Sequence, residues 1–141
     1  MPKLLLLSEV HIPLLMEWAL ELNKVDSYEV QRARLEKMFT YPTYRCFGFF
    51  DKEELLGYSG SWTTERLYSG KQLELDHVLI NPALRSKGYG GQFLEALQQW
   101  ALNHDYQTIE LNSYLENRRS HDFYKNLGFR KLGFHFQKKI Q

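Results

Sequence analysis

Apolar residues alternate with polar ones in some stretches of the chain and recur every third or fourth position in others, and these two rhythms mark out strands and helices. Lys3–Leu7 carries four consecutive leucines and predicts a short buried strand. Leu15, Trp18, Ala19 and Leu22 recur at helical spacing, predicting a first helix over about 11–23. Asp26 or Ser27 can cap a second helix that runs to about Phe39, with Tyr28, Leu35, Met38 and Phe39 facing inward. Tyr41-Pro42 ends it, because the residue before a proline avoids the helical region. Residues 45–50 and 55–62 are aromatic-rich strands around Asp51-Lys52-Glu53-Glu54, an antiparallel hairpin.

A third strand is predicted over 72–80, closed by Asn81-Pro82. Phe93, Leu97, Trp100 and Ala101 then share one face of a helix over about 88–103. Residues 108–113 alternate as a strand, with Ile109 and Leu111 on one side. Asn117 can cap a short helix whose stripe is Ser120, Phe123, Tyr124 and Leu127, and Gly128 is placed to end it in a left-handed turn. Residues 129–140 are strand-like. The order β α α β β β α β α β predicts an α/β layer on a mixed sheet. No repeat or linker divides the 141 residues, so residues 1–141 are expected to form a single domain.

Composition narrows the classes. With 43% hydrophobic and 15% aromatic residues the chain can fill a core. The 18 Lys and Arg nearly balance the 17 Asp and Glu, which gives no reason to expect a nucleic-acid partner. Cys46 is the single cysteine, so no intrachain disulfide can form, and it reads as a small packed hydrophobe. No apolar run approaches the roughly 20 residues that span a bilayer. Ser8, Glu9 and His11 interrupt the leucine run too early for a signal peptide. The expectation is a soluble cytoplasmic protein with no membrane partner, monomeric or homodimeric. His11, His104, His121 and His135 show no metal-ligand spacing, and no metal is expected.

The densest chemical signal is Ile80-Asn81-Pro82-Ala83-Leu84-Arg85-Ser86-Lys87-Gly88-Tyr89-Gly90-Gly91, at a strand-to-helix handover. A helix start offers unpaired N–H groups and the positive end of the helix dipole, both attractive to anions. Gly88, Gly90 and Gly91 let a bulky diphosphate approach the backbone, and Arg85 and Lys87 add charge. A turn that only tightens strand–helix packing is the bland alternative. A P-loop is excluded, since no Gly-Lys-Ser/Thr follows, and the glycines do not form GxGxxG.

Arg85-Ser86-Lys87-Gly88-Tyr89-Gly90 matches the R/Q-x-x-G-x-G/A signature. The segment Asn117-Arg118-Arg119-Ser120-His121-Asp122-Phe123-Tyr124-Lys125-Asn126-Leu127-Gly128-Phe129 looks like an N…FY-x-x-LGF block. On these motifs and the element order the chain resembles the GNAT superfamily of acetyltransferases. The resemblance implies a mixed, mostly antiparallel central sheet with helices on both faces and a splayed strand pair that holds the cofactor. It implies acetyl-CoA as co-substrate, with its pyrophosphate on Arg85, Ser86, Lys87, Gly88, Tyr89, Gly90 and Gly91. The pantetheine arm would pair with main-chain groups of Val78, Leu79 and Ile80. Asn117 would bond that arm, although helix capping accounts for it equally well. Arg118 and Arg119 would meet the 3′-phosphate, or simply solvate a helix start.

Acyl transfer from a thioester to an amine requires that the ammonium lose a proton, the oxyanion be stabilised and the thiolate be protonated. The resemblance places the general acid on Tyr124, a phenol protonated at neutral pH, whose other reading is a core aromatic beside Phe123. Strict alternation on the third strand puts Glu74, Asp76, Val78 and Ile80 on one face and Leu73, Leu75, His77 and Leu79 on the other. Some members of the family place basic groups at positions matching Glu74 and Asp76, and a partly buried carboxylate there could act directly or through water. An acidic patch that only attracts a cationic substrate fits as well. His77 ranks behind both as a satisfied core histidine, and the N–H of Leu79 is expected to stabilise the oxyanion.

The expected function is N-acetyl transfer to a primary amine of a small molecule or peptide, in a ternary complex. A non-catalytic acyl-CoA sensor of the same fold, or an unrelated module holding another phosphate compound, are the other readings. The resemblance implies an acceptor site built largely by the first two helices and the C-terminal strands; Trp18, Glu21, Tyr28, Glu29, Tyr41 and Tyr44 there suit a cationic amine, although such residues also decorate ordinary surfaces. Polyamine, amino acid, aminoglycoside and protein amine all fit them.

Overall fold

The computed structural model describes residues 1–22, 24–84 and 87–141. Five strands form one sheet in the order β1-β2-β3-β4-β5: β1 Lys3–Leu7, β2 Tyr44–Asp51, β3 Glu54–Arg66, β4 Gly70–Ile80 and β5 Thr108–Leu111. Neighbours from β1 to β4 are antiparallel. Four helices accompany them: α1 Ile12–Leu22, α2 Tyr28–Met38, α3 Tyr89–Asn103 and α4 Arg118–Asn126. The fold is α/β, as the element order predicts, with the mostly antiparallel sheet that the resemblance implies. Two compact units are present, Met1–Glu110 and Leu111–Gln141. No described helix is long and apolar enough to cross a membrane.

In the first unit both sheet faces are covered. On one face Tyr44 and Cys46 of β2 and Tyr58 of β3 pack with Ile12, Leu15 and Met16 of α1 and Leu35 of α2. On the other, Phe47 meets Trp100 of α3 at 4.7 Å between ring centres and Phe49 stacks on Phe93 at 5.3 Å. Leu73, Leu75, Leu94, Leu97 and Ala101 complete that buried layer. The capping reading of α2 resolves to Ser27, whose hydroxyl accepts the Val30 N–H at 3.2 Å. α3 returns the chain so that Gln107, just before β5, donates its N–H to the Lys71 carbonyl at the start of β4 (2.8 Å). β5 has four residues against eleven in β4, too few to flank β4 along its whole length.

Three expectations change. Lys3–Leu7 is a strand, but at the sheet edge, where only Leu7 is buried. Tyr28 is exposed and accepts a hydrogen bond from Arg32 at 3.2 Å, because the inward line of α2 runs through Leu35. Residues 129–140 form no strand: Leu132, Phe134, Phe136 and Ile140 alternate but are all exposed. Alternation supplies a sided surface and no backbone partner, and a strand forms only where a ladder satisfies its N–H and C=O groups.

Candidate active site

The end of β4 and the start of α3 form the phosphate-binding candidate. The Asn81 N–H donates to the Leu56 carbonyl (2.8 Å), and Asn81 Oδ1 accepts from the Ala83 N–H (3.0 Å). These bonds fold Pro82–Leu84 into one 3-10 turn that carries the chain off the sheet. Arg85 and Ser86 lie outside the described residues; Lys87 is exposed. Gly88 is the N-cap of α3 at φ +81°, a conformation natural to glycine. It has no side chain to cap the helix, and the first helical bond is Gln92 N–H to Gly88 C=O. The N–H groups of Tyr89, Gly90 and Gly91 therefore precede that ladder as orphan donors. A Cβ built on Gly88 meets no described atom within 4 Å. Open space, uncapped amides and the helix dipole fit a diphosphate.

On the α1/α2 side of the sheet the structure corrects the alternation read from β4. The β3–β4 register runs Trp62↔Glu74, Ser61↔Leu75 and then Gly60↔His77, so Asp76 is an extra residue in a β-bulge. Trp62 and Gly60 are two apart on β3 and share a face, so their partners Glu74 and His77 share it too. Leu79, opposite Tyr58, joins them. Val78 and Ile80 move to the α3 side with Leu73 and Leu75. The grouping of Glu74 and Asp76 with Val78 and Ile80 is thus overturned, and His77 leaves the apolar face. Gly60 was the readable signal, since a glycine inside a strand marks a bulge or a close approach.

Around this bulge the side chains converge. The Trp62 indole N–H donates to Asp76 Oδ2 at 3.4 Å, and His77 Nδ1 lies 3.9 Å from the same oxygen. Tyr44 stacks obliquely on Trp62 at 4.8 Å, and Tyr41 adds an edge contact at 5.7 Å. The Tyr58 ring meets His77 edge-on at 5.3 Å. Asp76 is 43% exposed and Glu74 30%, with Glu74 drawn to Arg66 at 3.5 Å, so both carboxylates keep contact with solvent. Burial falls on His77 instead, whose side chain is 17% exposed. Burial holds its imidazole below the ordinary value of 6.5, against the opposing pull of Asp76.

Tyr44, read from the sequence as an acceptor aromatic, and Cys46, read as a packed hydrophobe, both lie on β2. The Tyr44 hydroxyl is buried without a hydrogen-bond partner of good geometry. Burial, with Cys46 beside it, pushes its pKa far above the phenol range. Burial also pushes the Cys46 thiol up to about 12, against a smaller opposing effect of Tyr44. Such a thiol stays protonated, so Cys46 behaves as a packed hydrophobe.

In the second unit Asn117 caps α4, its Oδ1 accepting the Ser120 N–H at 3.2 Å. Ser113 and Ser120 share a hydroxyl bond of 2.9 Å. Gly128 stands at φ +93° with its N–H on the Lys125 carbonyl, and the Phe129 N–H reaches the Tyr124 carbonyl at 3.0 Å. This is a Schellman end, and its usual apolar contact is the Tyr124–Phe129 ring pair at 5.6 Å. Burial raises the pKa of the Tyr124 phenol, so it holds its proton at neutral pH.

The model of the acetyltransferase (GNAT) family matches residues 12–129. The uncharacterized N-acetyltransferase YhdJ of Bacillus subtilis (strain 168) is 25% identical over 129 residues, covering 91% of this chain and 88% of that protein. Among solved structures, aminoglycoside N-acetyltransferase AAC(6′)-Iy in complex with CoA superposes with a TM-score of 0.83 at 16% identity, over 100% of this chain and 96% of that one. An aminoglycoside acetyltransferase from an uncultured soil metagenomic sample, in complex with sisomicin, gives 0.78 at 16% identity over 99% and 97%. With a glycine-started α3 at the end of β4 and a family match across most of its length, this chain belongs to the acetyltransferase (GNAT) family.

Proposed function

We propose that residues 1–141 act as one N-acetyltransferase domain, moving an acetyl group from acetyl-CoA to a primary amine of a small molecule or peptide by direct attack in a ternary complex. The observation that carries this reading is the uncapped α3 start, where the N–H groups of Tyr89, Gly90 and Gly91 precede the first helical bond and a Cβ on Gly88 would meet no described atom within 4 Å. Arg85, Ser86 and Lys87 would add charge and donors to the same diphosphate. Main-chain groups of Val78, Leu79 and Ile80 would hold the pantetheine arm, because β5 is too short to claim all of β4. Asn117 retains its Nδ2 as a donor for that arm while Oδ1 caps α4.

Chemistry divides between two sites of proton transfer. Tyr124, kept protonated by burial, would give its proton to the departing CoA thiolate. Glu74 and Asp76 supply negative charge beside the aromatic rings of Tyr41, Tyr44 and Trp62, which suits a cationic amine. Proton removal from that amine belongs to this stretch of β4. Aminoglycosides appear in the names of solved structures of the same fold, which supports testing a polycationic small molecule as acceptor.

Calorimetry with acetyl-CoA, followed by CoA release with spermidine, lysine, neamine and a lysine-bearing peptide, tests the reading. Gly90→Val is the discriminating variant. Gly90 does not have a positive φ, unlike Gly88, so valine there adds bulk without left-handed strain. Wild-type acetyl-CoA affinity in folded Gly90→Val, or no acetyl-CoA binding by the wild type, would refute it. Binding with no CoA release from any amine would favour the sensor reading.

A further inference from the structure

Consecutive strand residues normally point to opposite faces. The bulge at Asp76 suspends that rule, and Asp76 and His77 come together on the α1/α2 side of the sheet, 3.9 Å apart. Three separate features hold the pair. The Trp62 indole N–H fixes Asp76 Oδ2 at 3.4 Å. Trp62 is itself packed between the rings of Tyr44 and Tyr41. Gly60, opposite His77, leaves room for its ring: a Cβ there would lie 3.1 Å from His77 Cε1 and 2.5 Å from the Tyr44 hydroxyl. Asp76 thus reaches one edge of the imidazole while no described hydrogen bond claims the other ring nitrogen, Nε2.

We infer that His77 takes the proton from the acceptor ammonium at Nε2, with Asp76 and Trp62 as the positioning residues that fix its tautomer. This inference rests on the acetyltransferase reading for its substrate and deepens it by naming the base. The ammonium gives one proton to His77 Nε2, and the resulting imidazolium is stabilised by Asp76 before passing that proton to solvent. The freed nitrogen forms the N–C bond to the acetyl carbon as the C–S bond breaks. A second proton leaves the nitrogen and the CoA thiolate gains one, for a net release of one proton per amide.

The surroundings favour this choice over the carboxylates. A base must be unprotonated at neutral pH, and burial keeps His77 so. A carboxylate near one ring nitrogen favours the proton on that nitrogen through charge attraction, here across 3.9 Å. Asp76 is the charged group that acts on the His77 imidazole, while Glu74, on the same face of β4, is engaged by Arg66. Tyr58 of β3 and Tyr44 and Cys46 of β2 also face it and stay neutral, since burial raises all three. Where α1 and α2 pack on the neighbouring core they bring Trp18 and Met38, with Phe39 just past the end of α2, and none of these carries charge.

Imidazole ¹⁵N NMR of the full chain tests the geometry without any acceptor. The expected neutral form carries its proton on Nδ1, toward Asp76, and Asp76→Asn should lower the His77 pKa further by removing the charge that raises it. Trp62→Phe should shift it measurably, while Glu74→Gln should not. A neutral Nε2–H tautomer, or a His77 pKa unmoved by Asp76→Asn, would overturn the proposal. The kinetic arm uses acetyl-CoA with whichever of spermidine, lysine or neamine the wild type acetylates. His77→Gln should lower kcat about 10²-fold or more, the lower range for general base catalysis, and abolish the acidic limb of its pH profile. Asp76→Asn should move that limb to lower pH with KM less affected. A His77→Gln enzyme that keeps the limb and a kcat within threefold of wild type would remove His77 from the reaction. Failure of the wild type to bind acetyl-CoA would refute the acetyltransferase reading instead and leave the NMR result standing.

Discussion

Gly60→Ala adds a single methyl group at the point where the three middle strands and the candidate base meet. Its Cβ would sit 2.5 Å from the Tyr44 hydroxyl oxygen, about 0.9 Å short of ordinary contact at 3.4 Å. A tyrosine tip can often swing away at little cost. Tyr44 cannot, because its ring is wedged between Phe39 (5.3 Å, perpendicular) and Trp62 (4.8 Å) and is 5% exposed. Overpacking of this kind costs about 1–3 kcal/mol. The loss of glycine's freedom in the unfolded chain offsets about 0.4–1 kcal/mol, since φ at Gly60 is not in the left-handed region. The net expectation is a loss of about 1–2 kcal/mol, or about 3–8 °C in Tm for a chain of this size. Tyr44→Phe removes the atom struck first, and that oxygen has no hydrogen-bond partner of good geometry to lose. The single variant should therefore be neutral or slightly stabilising. The double variant should recover at least half of the Gly60→Ala loss, measured by urea unfolding and thermal melts as a double-mutant cycle. A Gly60→Ala protein within about 0.3 kcal/mol of wild type, inside the scatter of additive sites, would refute the packing argument. So would a double variant showing no recovery.

Other outcomes follow from the same geometry. Tyr124→Phe should leave stability nearly unchanged and slow single-turnover acetyl transfer by about 10²–10⁴-fold; a rate within threefold of wild type would return Tyr124 to a packing role. Because the folded His77 pKa lies below 6.5, its contribution to stability is present above that value and is lost as pH falls below it toward the depressed one. Urea unfolding at several pH values between 7 and 5 should show a shallower decline in His77→Gln than in wild type, and parallel declines would contradict the shift. Gly128→Ala places a Cβ at φ +93° and should cost about 1–2 kcal/mol. Faster amide exchange at Phe129, whose N–H closes the Schellman end on Tyr124, would report it; unchanged protection there would count against the local account.

What the sequence determined by itself was carried by local chemistry. Helical spacing from Leu15 to Leu22, the serine at 27, the asparagine at 117 and the glycine at 128 each act within a few residues, and the structure has α1, both caps and the left-handed helix end. The glycine-rich start of α3 was legible for the same reason, since an uncapped helix start is a property of neighbouring amides. Tertiary structure decided what depends on a partner strand or a remote helix. The leucines of β1 look the same at an edge as in the interior of a sheet, and only the pairing with β2 alone places them at the edge. Residues 129–140 have the right alternation but no ladder. The consequential case is β4, where alternation is a rule about a regular ladder and one extra residue reverses it for every position that follows. Gly60 on β3 hints at that reversal, yet the face of His77 is set by the register between two strands, which no stretch of β4 contains.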